Sequence, residues 1–443
     1  MKRLLLVLSV LLLTVLPLSG QYRTPPYGDL NESSAVKAMR EDVRFLSSAA
    51  LEGRKAGSDG EQEAARYVSA RLAELGIDVL SGTDGDPFGI REENGDTLTS
   101  RNVLAFIPGY DKSLSSHYIV IGARLDNIGT YQLKVNGGEE TRICYGANGN
   151  ASGLAMLLQL ASMLQTNRVL LRRSVLIAAF GASCNMGAGS WYFLNRSFPA
   201  VDKIDAMINL DMLGTGSSGF YAWPSGNADL TQFLKNLSAT LQPVVPEVVT
   251  REPCFSDHKT FYDKEIPSVF FTTGMYPEYN SEKDTESILE YGDMERELEF
   301  IYNFAVQLCN GPRPLFKITE DTVVKLDGKT VVPYYECDVK PTFLGSTDPG
   351  VFLQKWVYSY LHYPAEAVRQ GIRGRVLVGF LIDQKGNVKD VRVLKGVHPL
   401  LDNEAVKVVG ASPRWKPGKV RGKPVICEVS LYVEFILERR KNR

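Results

Sequence analysis

The sequence predicts an α/β protein, with a mostly parallel sheet covered by helices on both faces, followed by a small α+β unit. Three observations carry this expectation. Short apolar runs alternate with helical repeats as far as residue 310, the composition turns at Gly311-Pro312-Arg313-Pro314, and beyond it strand-like runs gather around a few helical segments. Alternation of that kind favours a parallel sheet whose strands are buried on both faces.

The elements follow in order. Residues 34–50 place Val36, Met39, Val43, Phe45 and Leu46 at helical spacing, and 61–75 repeat the pattern with Gly76 as its stop. Apolar runs at 103–107, 118–122, 174–180, 206–210 and 268–271 read as strands. Helical patterns at 151–165, 187–195, 230–241 and 294–308 separate most of them. Ligand chemistry in such a sheet belongs in the loops beyond the carboxyl ends of the strands, here 123–129, 181–185 and 211–214. The Pro-rich turn opens a linker, 311–336, with a hairpin at 323–332 around Asp327-Gly328. The last unit, 337–437, shows helices near 351–361, 364–370 and 403–409 and strands at 375–382, 388–395 and 428–437, with Lys385-Gly386-Asn387 as the turn between the first two strands.

Composition excludes some functions. The 443 residues carry 50 Lys and Arg against 51 Asp and Glu, a balance that argues against nucleic acid as a partner. Residues 1–20 begin with Lys2 and Arg3, run apolar from Leu4 to Leu18 and end in Ser19-Gly20, the pattern of a secretory signal peptide. Export predicts a periplasmic protein that starts near Gln21. A retained amino-terminal membrane anchor is the alternative, but the apolar run is shorter than the roughly 20 residues a spanning helix needs. Export also permits disulfides among Cys144, Cys184, Cys254, Cys309, Cys337 and Cys427, and spacing selects none of the pairings.

A series of motifs then occurs in order: Leu51-Glu52-Gly53-Arg54 with Gly57 and Gly60, Arg101-Asn102-Val103, Ile121 to Asp126, Gly146-Ala147-Asn148-Gly149-Asn150-Ala151-Ser152-Gly153, Phe180-Gly181-Ala182, Asn209-Leu210-Asp211-Met212 and Ser256-Asp257-His258. Together, over residues 34–310, they resemble the co-catalytic zinc aminopeptidases of metallopeptidase clan MH, family 28. That resemblance implies two zincs roughly 3.5 to 4 Å apart, held by imidazole and carboxylate, with a further carboxylate as general base. Carried over residue by residue, the family's metal ligands fall at Arg124, Gly149, Cys184, Asp211 and Asn280, and its general base at Ser183. Only Asp211 keeps the family's residue type. Histidine cannot repair the set, because the domain holds only His117 and His258.

Arg124 goes further than loss of a ligand. A unit positive charge about 4 Å from a doubly charged ion is repelled by roughly 8 kcal/mol at an effective dielectric near 20. The expectation is therefore that the Arg124 guanidinium replaces the metal as countercharge for Asp211, Asp126 or both. Catalytic residues and metal ligands are not expected, nor is a cofactor, and the candidate binding residues are Arg124, Asp126, Asp211, Asp257 and His258. Plainer structural roles are open to each: Asp211 as a strand-end loop residue, Cys184 as a small hydrophobe or half a disulfide, Ser256 and Asp257 as helix N-caps, Gly149 and Gly153 as turn residues.

From Cys337 onward, Tyr363-Pro364-Ala365-Glu366-Ala367, Gly371 to Val376, Asp383 to Val388, Leu400 to Ala405, Trp415-Lys416-Pro417-Gly418 and Gly422-Lys423-Pro424-Val425 resemble the carboxy-terminal domain of TonB. In that family an exposed sheet edge takes up a receptor segment as an extra strand, and the last strand, 428–437, is the candidate edge; its alternation is also that of an internal strand. The combined expectation is an exported, non-catalytic peptidase-like binding or scaffold protein. Its partner would be an outer-membrane or periplasmic protein docked through the TonB-like domain, with a peptide as ligand in the old cleft. Two alternatives stand beside it. One is an active zinc aminopeptidase using Asp126, Asp211, Asp257, His258 or Asp284 in an altered site; the other is a TonB-type energy transducer for outer-membrane transport.

Overall fold

The structure is a computed structural model that describes residues 32–91, 96–135, 138–216, 219–250, 252–317, 325–326, 329–334, 337–347 and 349–436. The signal peptide expected at 1–20 and the Asp327-Gly328 turn lie outside the described residues.

Two helices lead the chain, and each begins where its sequence provides a cap. The Ser33 hydroxyl accepts from the Val36 N–H at the start of α1 (Ser34–Leu46), which buries Val36, Met39, Val43 and Leu46 on one stripe. The Ser58 hydroxyl does the same for Glu61 in α2 (Asp59–Glu74), and the Glu61 carboxylate reaches back to the Gly57 N–H at 2.7 Å, closing a capping-box-like loop.

The strands of the first unit are β1 (Asp78–Val79), β2 (Asp86–Arg91), β3 (Thr97–Ile107), β4 (Tyr118–Arg124), β5 (Thr130–Val135), β6 (Gly138–Ile143), β7 (Ser174–Phe180), β8 (Ile204–Leu210), β9 (Tyr221–Trp223), β10 (Glu247–Val248) and β11 (Ser268–Thr272). Their main sheet runs β1-β3-β7-β4-β8-β11-β9-β10, with β2 paired to β3. Its centre, β7-β4-β8-β11, is parallel, while β3 and β9 join antiparallel. Alternation fills both faces. Ile119, Ile121 and Ala123 of β4 pack into one core with α3 (Ser152–Thr166) and α7 (Tyr291–Asn310), whereas Val120 enters a second core with Phe180, Phe193 and Phe261 on the opposite face. The shorter helices α4 (Ala188–Tyr192), α5 (Ala228–Ser238) and α6 (His258–Tyr262) complete the layers.

The last unit has its own core. The antiparallel β12 (Lys325–Leu326) and β13 (Lys329–Pro333) precede α8 (Ala365–Arg369), β14 (Gly374–Ile382), β15 (Val388–Lys395), α9 (Pro399–Gly410), β16 (Lys419–Val420), β17 (Lys423–Pro424) and β18 (Ile426–Phe435). Phe343, Phe352, Phe380 and Trp415 interlock as an aromatic cluster with ring centroids 4.9 to 6.0 Å apart. In the sheet order β12-β13-β18-β14-β15, β18 lies between β13 and β14, but β13 covers only its first three residues, so of the expected edge 428–437 only Glu428 is paired on that side. β14 pairs with it antiparallel over nine positions, and β13 pairs with it parallel at Ile426, Cys427 and Glu428. The local pattern of β18 could not reveal that the linker supplies a neighbour from almost a hundred residues away. Beyond Glu428 no strand among the described residues pairs with its outer side, and the Glu434 N–H donates to the Tyr358 hydroxyl at 3.4 Å. No helix among the described residues is long and apolar enough to cross a membrane.

Candidate functional site

The carboxyl ends of β4, β7 and β8 converge, and the residues that follow them build a buried polar cluster. Arg124, the last residue of β4, is 5% exposed, and Asp211, directly after β8, is 2% exposed. The Arg124 Nη2 donates to Asp211 Oδ1 at 3.0 Å, and Nη1 reaches the Cys184 Sγ at 3.3 Å. The second Asp211 oxygen accepts from the Ser256 hydroxyl at 2.8 Å, and Ser256 in turn accepts from Asn209 Nδ2. Burial opposes the Arg124 charge, but Asp211 together with Cys184, Tyr279 and Asp126 outweighs it and holds the guanidinium pKa well above its ordinary value. The Arg124 Nε is buried with no hydrogen-bond partner among the described residues.

Asp126 takes a separate role. Its carboxylate accepts the Ser183 N–H at 2.7 Å and the Cys184 N–H at 3.1 Å, so it clamps the loop after β7 and is not bonded to Arg124. Burial pushes its pKa up, and the Arg124 charge pulls against that. Cys184 is exposed at its surface but sits among dense neighbours; that environment and the Asp126 charge push the thiol up to about 12, the wrong direction for a nucleophile.

Ser183, where the family resemblance expects a general base, donates its hydroxyl to Asp257 Oδ2 at 2.6 Å, and Ser190 donates to Oδ1 at 2.6 Å. Asp257 therefore does not cap α6 with its side chain, as the sequence suggests; its carboxyl is turned into the interior and burial pushes it up to about 7. The Ser256 side chain is likewise spent on Asp211 rather than on a cap. His258 points away from this cluster. Its ring stacks on Phe270 with centroids 4.8 Å apart, its Nε2 lies 2.7 Å from Glu252, and its Nδ1 is buried without a hydrogen-bond partner among the described residues. Asn280 occupies a left-handed turn position, φ 53°, beside the half-buried Tyr279.

The glycine-rich loop does not work through turn conformations at the two expected glycines. Gly149 has φ −114°, and Gly153 lies inside α3, where a Cβ would stand 2.2 Å from Asn150 Oδ1. That oxygen accepts the Gly153 and Met212 N–H groups at 3.0 Å each, so a side chain at 153 would break the tie between the loop and the end of β8. Gly146, at φ 67°, is the left-handed residue.

Asp284, which the altered-site alternative names, accepts the Asn148 N–H at 2.7 Å, the Gly149 N–H at 3.1 Å and the Tyr276 hydroxyl at 2.6 Å, and so lies in front of Gly149. Two further contributors, Arg54 and Glu61, were not legible as site residues. Arg54, fully buried, donates to the carbonyls of Leu46, Leu125, Tyr145 and Gly146 and braces the loop from below. Glu61 could be found as a cap from Ser58-Asp59-Gly60-Glu61, but not as a buried carboxyl; burial pushes it up to about 7 while Ser100 donates to it at 2.6 Å. Among the described residues no group of three or more His, Cys, Asp and Glu is arranged to hold a metal ion.

Two cavities lie away from this cluster. One, about 340 Å³, is walled by Phe220, Val244, Arg296 and Glu297, and the other, about 380 Å³, by Ile204, Lys264, Arg313 and Phe316.

Comparison with solved structures returns the same fold. The aminopeptidase from Aneurinibacillus sp. strain AM-1 aligns at 17% identity and TM-score 0.50, covering 64% of this chain and 96% of that one. BSAP, a zinc aminopeptidase from Bacillus subtilis, aligns at 13% identity and TM-score 0.50, covering 65% and 98%. No curated protein matches the chain. Residues 102–305 match Peptidase family M28, and residues 359–437 match the Gram-negative bacterial TonB protein C-terminal. The chain thus joins a peptidase domain of family M28 to a TonB carboxy-terminal domain.

Proposed function

We propose that this protein is an exported, non-catalytic relative of the family M28 peptidases that serves as a binding or scaffold protein and docks to an envelope partner through its TonB domain. The observation that carries the reading is the buried Arg124–Asp211 ion pair, 3.0 Å long, at the strand ends where the family's zinc ligands belong. The residues present do not fit a two-zinc centre. A guanidinium holds the one retained ligand, Asp211, and a cation brought there meets a fixed positive charge. A carboxylate restored at 149 would have its Cβ 3.1 Å from both Asp284 Oδ2 and the Tyr276 hydroxyl, so both groups would have to give way by a few tenths of an ångström. The general-base position is a serine whose hydroxyl is committed to Asp257.

The Arg124 guanidinium is a positive charge of the kind that pairs with a peptide carboxylate or another acidic group. The TonB carboxy-terminal match supports a Gram-negative envelope setting and a protein partner there. The test is zinc content and aminoacyl-reporter hydrolysis of the purified chain after equilibration with zinc. Far less than one zinc per chain and no hydrolysis are expected. About two zincs with chelator-sensitive hydrolysis would reverse the reading in favour of an altered-site aminopeptidase.

A further inference from the structure

Cys337 and Cys427 lie in the last unit with their sulfurs 3.6 Å apart across 90 residues of chain. Both are buried in the same apolar core, beside Phe343, Phe380 and Trp415. No strand pairing places them together. Cys427 sits on β18 opposite Val332 of β13, and Cys337 follows β13 by four residues, so the contact stands where the linker leaves the sheet. The sulfurs are in van der Waals contact, and a bond between them would shorten that separation to roughly 2.05 Å.

We propose that Cys337 and Cys427 form a structural disulfide that fastens the linker strand β13 to the central strand β18. The step is thiol–disulfide exchange. The two thiols lose two protons and two electrons to form the sulfur–sulfur bond, and an oxidised low-molecular-weight disulfide or a dithiol oxidase takes up both and is released as two thiols. Because the hydrogen bond with Cys337 and burial both push the Cys427 thiol up, the folded dithiol reacts slowly; the bridge forms while the core is still open. Once closed, it is shielded by the aromatic cluster. It encloses nearly the whole last unit in one covalent ring and keeps β13 on the three residues of β18 that it covers. The inference rests on export only for where the oxidation takes place.

The test is peptide mapping of the full chain, alkylated under acid quench without reductant, after refolding in a glutathione redox buffer. A linked Cys337–Cys427 peptide pair and protection of both from alkylation are expected. Reduction should then lower the thermal midpoint of the last unit by on the order of 10 °C. Full alkylation of both cysteines, or linkage of either to a different cysteine, would overturn the proposal. Should Cys337→Ser fail to fold, the wild-type mapping decides alone. This readout involves no ligand, zinc or peptidase substrate, so it succeeds or fails independently of the proposed binding function. Mapping the chain from intact cells, with alkylation before lysis, should give the same linkage; reduced thiols there alongside linkage on refolding would refute export as the source of oxidation.

Discussion

Removing the guanidinium while keeping side-chain length, Arg124→Met, isolates the feature on which the site depends. In the wild type Arg124 and Asp211 form a 3.0 Å pair with side-chain exposures of 6% and 3%. The substitution leaves a carboxylate buried, with the Ser256 hydroxyl at 2.8 Å as its remaining side-chain donor. Breaking one half of a buried pair costs about 3 to 5 kcal/mol, and the surviving Ser256 bond argues for the lower end, about 3 kcal/mol. At a urea slope near 3 kcal/mol/M that is a midpoint shift of about 1 M. Since the first and last units have separate cores, the shift is best read by hydrogen exchange in urea on peptides covering Tyr118–Arg124 and Ile204–Leu210, which report the first unit alone. Asp211→Asn should cost a similar amount, and the double variant should lose at least about 2 kcal/mol less than the sum. Additive losses, or a single-variant cost below about 0.5 kcal/mol, would refute the view that the two charges neutralise each other in a buried site.

Three further outcomes are expected. Asp257 has its folded pKa raised to about 7 from 3.8, so its contribution is fully present below about pH 4 and is lost as pH rises through 7; Asp257→Asn should therefore flatten the stability–pH curve between about 4 and 7, relative to wild type, by up to about 4 kcal/mol in equilibrium unfolding across that range. Gly149→Asp sets a second carboxylate against Asp284, and thermal melts should show a loss of roughly 2 to 3 kcal/mol with no zinc gained by metal analysis; zinc binding by this single variant would contradict the crowding described at that loop. Gly386, at φ 87° with Trp415 O only 1.8 Å from an added Cβ, should tolerate no side chain: Gly386→Ala is expected to destabilise the last unit by more than about 2 kcal/mol while leaving exchange in the first unit unchanged.

What the sequence made legible was set by local physics. Period-two and period-3.6 patterns found β7 from Ser174 to Phe180 and β15 from Val388 to Lys395 at their observed limits, because burial on both faces or one face leaves a direct trace in residue order. Ends set by hydrogen bonding beyond the apolar run were harder: β3 reaches back to Thr97 because β2 pairs with it there, a partner invisible in the residues 97–102 themselves. The same limit explains β18. Alternation placed Val429, Leu431, Val433 and Phe435 inward, but whether a strand is an edge depends on what arrives from elsewhere, here β13.

The site divides along the same line. The family resemblance puts ligand positions at Arg124, Gly149 and Cys184, but residue types alone leave open how the space around them is used. The compensating groups settle how the space is used, and they come from distant segments. Asp284 and Tyr276 fill the position in front of Gly149, Asp126 turns its oxygens to the backbone of Ser183 and Cys184, and Asp257 is held by two serine hydroxyls. Each carboxylate that an altered metal site would need already has its hydrogen bonds satisfied by protein groups. Restoring a metal would therefore require breaking several buried hydrogen bonds, at about 1 to 3 kcal/mol for each group left unpaired, in addition to displacing Arg124. Reversion of the ligand positions alone, without freeing Asp284 and Tyr276, is on this reasoning insufficient to rebuild a zinc centre.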